Sequence, residues 1–316
     1  MSPNLAGTML DAICQARTPS RYETELDNWN PQCIHSYLDS WVVGSPSAKK
    51  ALATLVYSTW DLHRRSNLLI IGPSGTGKSE MIRALSKEVR GNVYQVDGSQ
   101  LTPSGYKGLS LSAVLYSITQ ERSRDTRAQH PFILAIDEVD KLLFGCDKAF
   151  SGAKSAELLR LLDHDRFVVS DDNGHQADFD ADWCSVILLG SFSAVQPKKQ
   201  CLGFNATGAE RNFEITGDRL IEEGLSPEII GRLPIVHMDP PTLNTYVSVA
   251  QMTVQKMEEQ TGKHIVIDPD LLVMLARIAI KKQIGCRYIT QALGNMLFNA
   301  VYDDYQADTY NLTWTP

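Results

Sequence analysis

Apolar runs at 68–71, 132–136 and 186–189 are each the length of a buried strand, and 93–96 and 235–237 read as two further strands. Between them, apolar positions fall three and four apart. Met81, Ile82, Leu85 and Val89 follow the first run, and Val114, Leu115 and Ile118 lie within a predicted helix over 111–122. A short amphipathic helix is predicted over 155–162, and Pro227 opens another that ends near Gly231 and Arg232. Upstream, Asn30 followed by Pro31 reads as a helix N-cap with proline at the first helical position, giving a helix to about Ser40. A further helix is predicted over 47–63. Strands alternating with helices imply an α/β fold on a parallel sheet.

Past Asp239-Pro-Pro the pattern changes to three helical segments, roughly 243–260, 268–282 and 286–304, with a short strand near 310–314. The chain divides accordingly into a leader over 1–28, an α/β part over 29–238 and a small helical part over 239–316. In the leader, Leu5, Met9, Leu10 and Ile13 would line one face of a short helix, which either packs on the body or binds a partner.

Composition narrows the class. Of 316 residues 43% are hydrophobic and 21% charged, as in a soluble globular protein. A net charge of −7 argues against a protein that coats nucleic acid. The six cysteines, at 14, 33, 146, 184, 201 and 286, form no C-x-x-C pair, so neither a zinc site nor a disulfide framework is expected. No apolar run approaches the ~20 residues of a membrane span, and no signal peptide is evident. A cytoplasmic location is expected.

The first apolar run leads into Gly72-Pro73-Ser74-Gly75-Thr76-Gly77-Lys78-Ser79, with Glu80 after it, and a helical pattern follows. This fits G-x-x-x-x-G-K-[ST] at every fixed position in the strand–loop–helix context the motif needs. Glycines let backbone N–H groups turn inward around phosphates, and a helix N-terminus adds its dipole. Lys78 would reach the β/γ-phosphates and Ser79 would ligate Mg²⁺. The run at 132–136 ends in Asp137-Glu138, the Walker B arrangement, in which Asp137 holds Mg²⁺ and Glu138 polarises the attacking water. ATP and Mg²⁺ are the expected cofactors.

Other stretches leave two readings open. Val42 and Val43, between Trp41 and Gly44, would either flank an adenine ring or pack in the core. Tyr106, flanked by glycines in a polar loop, is either a contact point or tucked onto the body. Residues 171–182 hold five aspartates and no Lys or Arg, and read as a solvated loop. A long loop is expected over 194–212.

Taken together, the chain resembles the AAA+ ATPases, and within them the ClpX unfoldase branch, from about Asn30 to about Asp304. Trp41-Val-Val-Gly-Ser-Pro looks like that branch's adenine-side segment, favouring Val42 and Val43. Ile136-Asp-Glu-Val-Asp-Lys141 looks like its Walker B box, and Gly105-Tyr106-Lys107-Gly108 stands where it has its aromatic pore loop. Gly224-Leu-Ser-Pro-Glu-Ile-Ile-Gly-Arg232 is similar to its arginine-finger segment. Gly285-Cys286-Arg287 is similar to its sensor-2 motif. The resemblance implies a P-loop NTPase fold with a five-stranded parallel sheet and a small all-α lid, assembled as a homohexamer. Arg232 would act on the adjacent subunit's ATP and Arg287 on its own.

There are departures. No C-x-x-C pair in 1–28 matches the family's zinc-binding N-terminal domain, and the family's basic loop is replaced by the aspartates of 171–182. Lys107 stands where the pore loop usually has an apolar residue. Leu202-Gly203-Phe204 lies where the family has its peptidase-docking tripeptide, Ile-Gly-Phe. The resemblance implies an ATP-driven ring that threads protein substrates, with a ClpP-like peptidase as a possible partner. The alternative is an ATP-switched remodelling or assembly scaffold. Nucleic acid fits less well, given the acidic balance, and a small-molecule kinase would not need Arg232 or Arg287.

Overall fold

Alternate residues of the central strands belong to two different hydrophobic cores, which is why their sequences are unbroken apolar runs. The computed structural model describes residues 30–89, 92–102, 109–124, 130–144, 156–193, 195, 215–282 and 284–314. Strands β1 (Asn67–Ile71), β2 (Val93–Asp97), β5 (Phe132–Asp137), β8 (Cys184–Gly190) and β9 (Ile235–His237) form one sheet in the order β2-β5-β8-β1-β9. All its pairings are parallel. The short β3 (Leu101–Thr102) and β4 (Leu109–Ser110) pair with each other beside it. Leu69 and Ile71 of β1, with Leu134 and Ile136 of β5 and Val186 and Leu188 of β8, enter one core. Leu68 and Ile70, with Ile133 and Ala135, and Ile187 and Leu189, enter the other.

Helices Pro31–Asp39, Pro46–Trp60 and Lys78–Glu88 cover the second face through Ile34, Leu38, Leu52, Val56, Met81 and Leu85. The Asn30 side chain accepts from the Cys33 N–H at 2.9 Å, the N-cap read from the sequence. Helix Leu111–Ser123 and the short helical stretch over 156–162 cover the first face through Val114, Leu115, Leu158 and Leu161.

The aspartate-rich stretch is not a loop along its length. Strands β6 (Arg166–Ser170) and β7 (Gln176–Asp180) form an antiparallel hairpin. Val169 and Phe179 are buried in the first core, while Asp178 is exposed, so Asp178 and Asp180 occupy the outer face of an alternating strand. Asp171 makes the turn, accepting the N–H groups of Asn173 and His175 at 3.0 and 2.7 Å.

Helices Leu243–Thr261, Pro269–Lys282 and Arg287–Asp303 surround a separate core that includes Tyr246, Leu275, Ile289 and Leu293. It also contains a parallel ladder of β10 (His264–Ile267) and β11 (Thr309–Leu312), so this part is helical with a two-stranded addition. Among the described residues, no helix is long and apolar enough to cross a membrane.

Candidate functional site

Parallel strands deliver their C-terminal ends to one edge of the sheet, and in open α/β sheets ligands bind there. Ile71, Asp137 and Gly190 end β1, β5 and β8 at that edge. Register places Ile71 beside Gly190, and the chain continues from Ile71 into the glycine loop. The loop's first residue is fixed to the neighbouring strand, since Gly72 N–H donates to the Gly190 carbonyl at 3.2 Å.

The glycines have separate tasks. Gly75 (φ +78°) and Gly77 (φ +95°) take the left-handed conformation that disfavours side chains. A Cβ at Gly72 would fall 2.5 Å from the Met238 Cβ, and one at Gly77 would fall 2.7 Å from Val42 Cγ1. Val42 is thereby packed against the loop and buried, while Val43 beside it is partly exposed.

Lys78 opens the helix and is only 7% exposed. Its Nζ donates to the carbonyls of Gly72 and Pro73 at 2.6 and 2.9 Å. Thr76 Oγ1 donates to the Pro73 carbonyl as well, at 2.9 Å. Burial pushes the Lys78 ammonium down from 10.5 to about 8, against the opposing pull of Asp137 and Asp140. Two opposite pH trends follow. Between about 8 and 10.5 the unfolded chain binds more protons at this group, so its contribution to folding stability rises with pH. Phosphate binding needs the ammonium, so nucleotide affinity is expected to fall as pH rises through about 8, by up to about tenfold per pH unit. Titrating a fluorescent ATP analogue from pH 7 to 9.5 checks this; constant affinity would remove Lys78 from the binding step.

A cavity of about 1100 Å³ opens at this edge. It is lined by Val42, Val43, Ser74 to Glu80, Asp137, Glu138 and Arg287. Gly72 and Pro73 enter through the carbonyls that hold Lys78. Glu80 also pairs with Arg83 and lies 3.9 Å from Lys256 Nζ on helix Leu243–Thr261. Glu138 has φ +50°, and its N–H donates to Asp137 Oδ1 at 2.9 Å.

The far wall belongs to the helical part. Cys286 N–H donates to the Gly75 carbonyl at 3.4 Å, which sets Arg287 at the head of its helix beside the loop. A Cβ at Gly285 (φ +76°) would come within 2.6 Å of the Ser74 carbonyl oxygen, and one at Gly75 within 3.1 Å of Gly285 Cα.

Other candidates lie elsewhere. Arg232 is outside the cavity, after the short helix Pro227–Ile230. It makes a two-pronged ion pair with Asp163, its Nη2 lying 3.1 Å from Oδ2, and its Nη1 donates to the Glu228 carbonyl at 2.6 Å. Tyr106 and Lys107, and Leu202, Gly203 and Phe204, lie outside the described residues, as do the leader residues 1–28. Sequence reasoning passed over Asp140, Ser191 and Lys256, all of which line the cavity. Ser191 directly follows an apolar strand that ends at this edge, a signal that was open to use.

The pieces suit a magnesium nucleotide. Turned-in glycine backbone, a buried lysine and a helix N-terminus match a polyphosphate. Ser79 and Asp137 supply two oxygens, and Mg²⁺ takes few protein ligands besides phosphate and water. Among the described residues no cluster of three or more His, Cys, Asp or Glu suggests another metal site.

Comparison with known proteins points the same way. Residues 68–173 match the family described as "ATPase family associated with various cellular activities (AAA)". The chain is also similar to the ATP-dependent Clp protease ATP-binding subunit ClpX of Porphyromonas gingivalis, in two strains. Each match is 25% identical over 313 residues, covering 85% of this chain and 76% of the relative.

Proposed function

Because the chain is a ClpX-like AAA+ ATPase, we propose that it works as an ATP-driven ring that unfolds protein substrates by drawing them through a central pore. The observation that carries this reading is a division of the candidate groups. Lys78, Ser79, Asp137, Glu138 and Arg287 share one cavity, whereas Arg232 lies outside it and is partly exposed, a place that suits action on another subunit's nucleotide.

In this reading the glycine loop and Lys78 hold the phosphates, and Val42 and Val43 flank the base. Ser79 and Asp137 would hold Mg²⁺, whose charge offsets that of the β- and γ-phosphates. Glu138 takes a proton from the attacking water. Arg287 contacts the nucleotide from the helical part, residues 239–316, which serves as the lid of the α/β part. Arg232 completes a neighbour's site, and the ring is a homohexamer.

Tyr106, flanked by glycines that let a loop move, grips the substrate. Tyr106→Ala is expected to retain ATP turnover and to lower unfolding of a fluorescent protein substrate by at least about tenfold, as loss of a buried aromatic contact would. Unfolding at the wild-type rate would leave ATP-switched remodelling without threading as the better description. Leu202-Gly203-Phe204 would then serve, in the threading reading, as the contact for a ClpP-like peptidase. An apolar tripeptide among polar neighbours suits a partner's pocket.

A further inference from the structure

Strand β1 runs into the glycine loop at its C-terminal end. At its other end stands Asn67, a polar residue with no part in the roles above. Its Nδ2 donates to the Leu162 carbonyl at 2.9 Å and to the Arg232 carbonyl at 3.3 Å. Carbonyl oxygens only accept, so the amide nitrogen faces both and divides its two hydrogens between them. Its Oδ1 is buried and has no partner among the described residues. A buried acceptor left unpaired costs stability, so what recommends asparagine here is its pair of donors.

The two carbonyls belong to the two halves of one clamp. Leu162, buried in the first core, directly precedes Asp163, and Asp163 forms the two-pronged ion pair with the Arg232 side chain. Arg232 itself supplies the other carbonyl. One side chain thus holds both the backbone that carries the carboxylate and the backbone that carries the guanidinium. Leu69 N–H donates to the Pro234 carbonyl at 2.9 Å, which ties the chain just after Arg232 to the same strand. Of the five guanidinium N–H groups, Asp163 takes two and the Glu228 carbonyl takes one, so two remain to face a ligand. The direction of those two is set by the spacing of the Leu162 and Arg232 backbones.

A long, partly exposed arginine gives up rotamer freedom when it is held in one direction. A clamp already in place removes that cost from the moment of reaction. We infer that Asn67 is a positioning residue for Arg232, holding its turn so that the two free guanidinium hydrogens meet the γ-phosphate on an adjacent subunit. The inference rests on the reading in which Arg232 serves a neighbour. It gives β1 two tasks: one end bears this subunit's own phosphate loop, and the other holds the group that acts next door.

The test is ATP turnover by the full chain, alone and in subunit mixtures. Asn67→Leu keeps the approximate shape of the side chain and removes both donors. It is expected to lower kcat by about ten- to a hundredfold, as a misplacement on the order of 1 Å does, while KM for ATP stays within about twofold. Mixing then separates a poor finger from a damaged fold. If Asn67 serves Arg232, Asn67→Leu subunits keep a working pocket, so Glu138→Gln subunits, whose finger is intact, restore turnover and Arg232→Ala subunits do not. Damage to β1 and its glycine loop gives the reverse, rescue by Arg232→Ala and none by Glu138→Gln. Any pattern of rescue other than the first overturns the inference, as does an effect on KM alone. If thermal melts show that Asn67→Leu does not fold, Asn67→Ala takes its place against the same outcomes. The mixture of Arg232→Ala with Glu138→Gln is the control. No recovery there sinks the neighbour reading and this inference with it. Recovery there, with wild-type kcat in Asn67→Leu, sinks this inference alone.

Discussion

Glu138→Gln is expected to bind ATP as wild type does and to lose about 10² to 10⁴ in turnover, the usual worth of a positioned general base. The glutamine keeps the size and the backbone of the original residue, including the N–H bond to Asp137 Oδ1. It cannot take a proton from water. Lys78 and the glycine loop, to which the proposal assigns phosphate binding, are untouched. Single-turnover hydrolysis measured beside equilibrium nucleotide binding separates the two effects. Turnover within about threefold of wild type would remove Glu138 from the chemistry, since no base catalysis is that weak.

The second large effect is expected at Arg232. Trans-acting arginines in other nucleotide hydrolases are worth about 10³ to 10⁵ in rate, so Arg232→Ala should lose turnover on that order. Its contacts with Asp163 and Glu228 offer a competing explanation, in which the arginine only clamps its own turn to the helix over 156–162. Asp163→Ala breaks that clamp and keeps the guanidinium. Under the trans reading Asp163→Ala retains far more activity than Arg232→Ala. Mixed assemblies decide further. Arg232→Ala subunits mixed with Glu138→Gln subunits should regain some turnover, because some interfaces then join an intact finger to an intact pocket. No recovery in the mixture, with Asp163→Ala as impaired as Arg232→Ala, would make the residue structural.

Local chemistry was legible in the sequence; long-range pairing was not. The glycine loop can be read because phosphate binding forces glycine, lysine and a hydroxyl into fixed spacing within a few residues. The three central strands β1, β5 and β8 can be read because burial on both faces leaves unbroken apolar runs. Strand β7 was hidden because its outward positions are Gln176, Asp178 and Asp180, and their polarity masked the alternation of Ala177 and Phe179. Strand β10 is four residues long and starts two residues after a helix ends, too short for a periodic signal. Asp140 and Ser191 are 51 residues apart, and Asp163 and Arg232 are 69 apart. Neither member of such a pair marks the other until the chain has folded.

The seam between the glycine loop and the helical part consists of main chain on both sides. Gly75 and Gly285 each occupy the space that the other's Cβ would need, and the Cys286 amide meets the Gly75 carbonyl. The hydrogen bond across the seam is made by main chain alone and is lost only if position 286 becomes proline, which lacks the amide hydrogen. Sequence drift can alter the surface on either side of it freely. The two glycines cannot drift singly: enlarging either one pushes on the other's backbone, and no change at the partner can shrink it further. They form a pair without a compensating mutation, and selection on the loop reaches across to a residue 210 positions away.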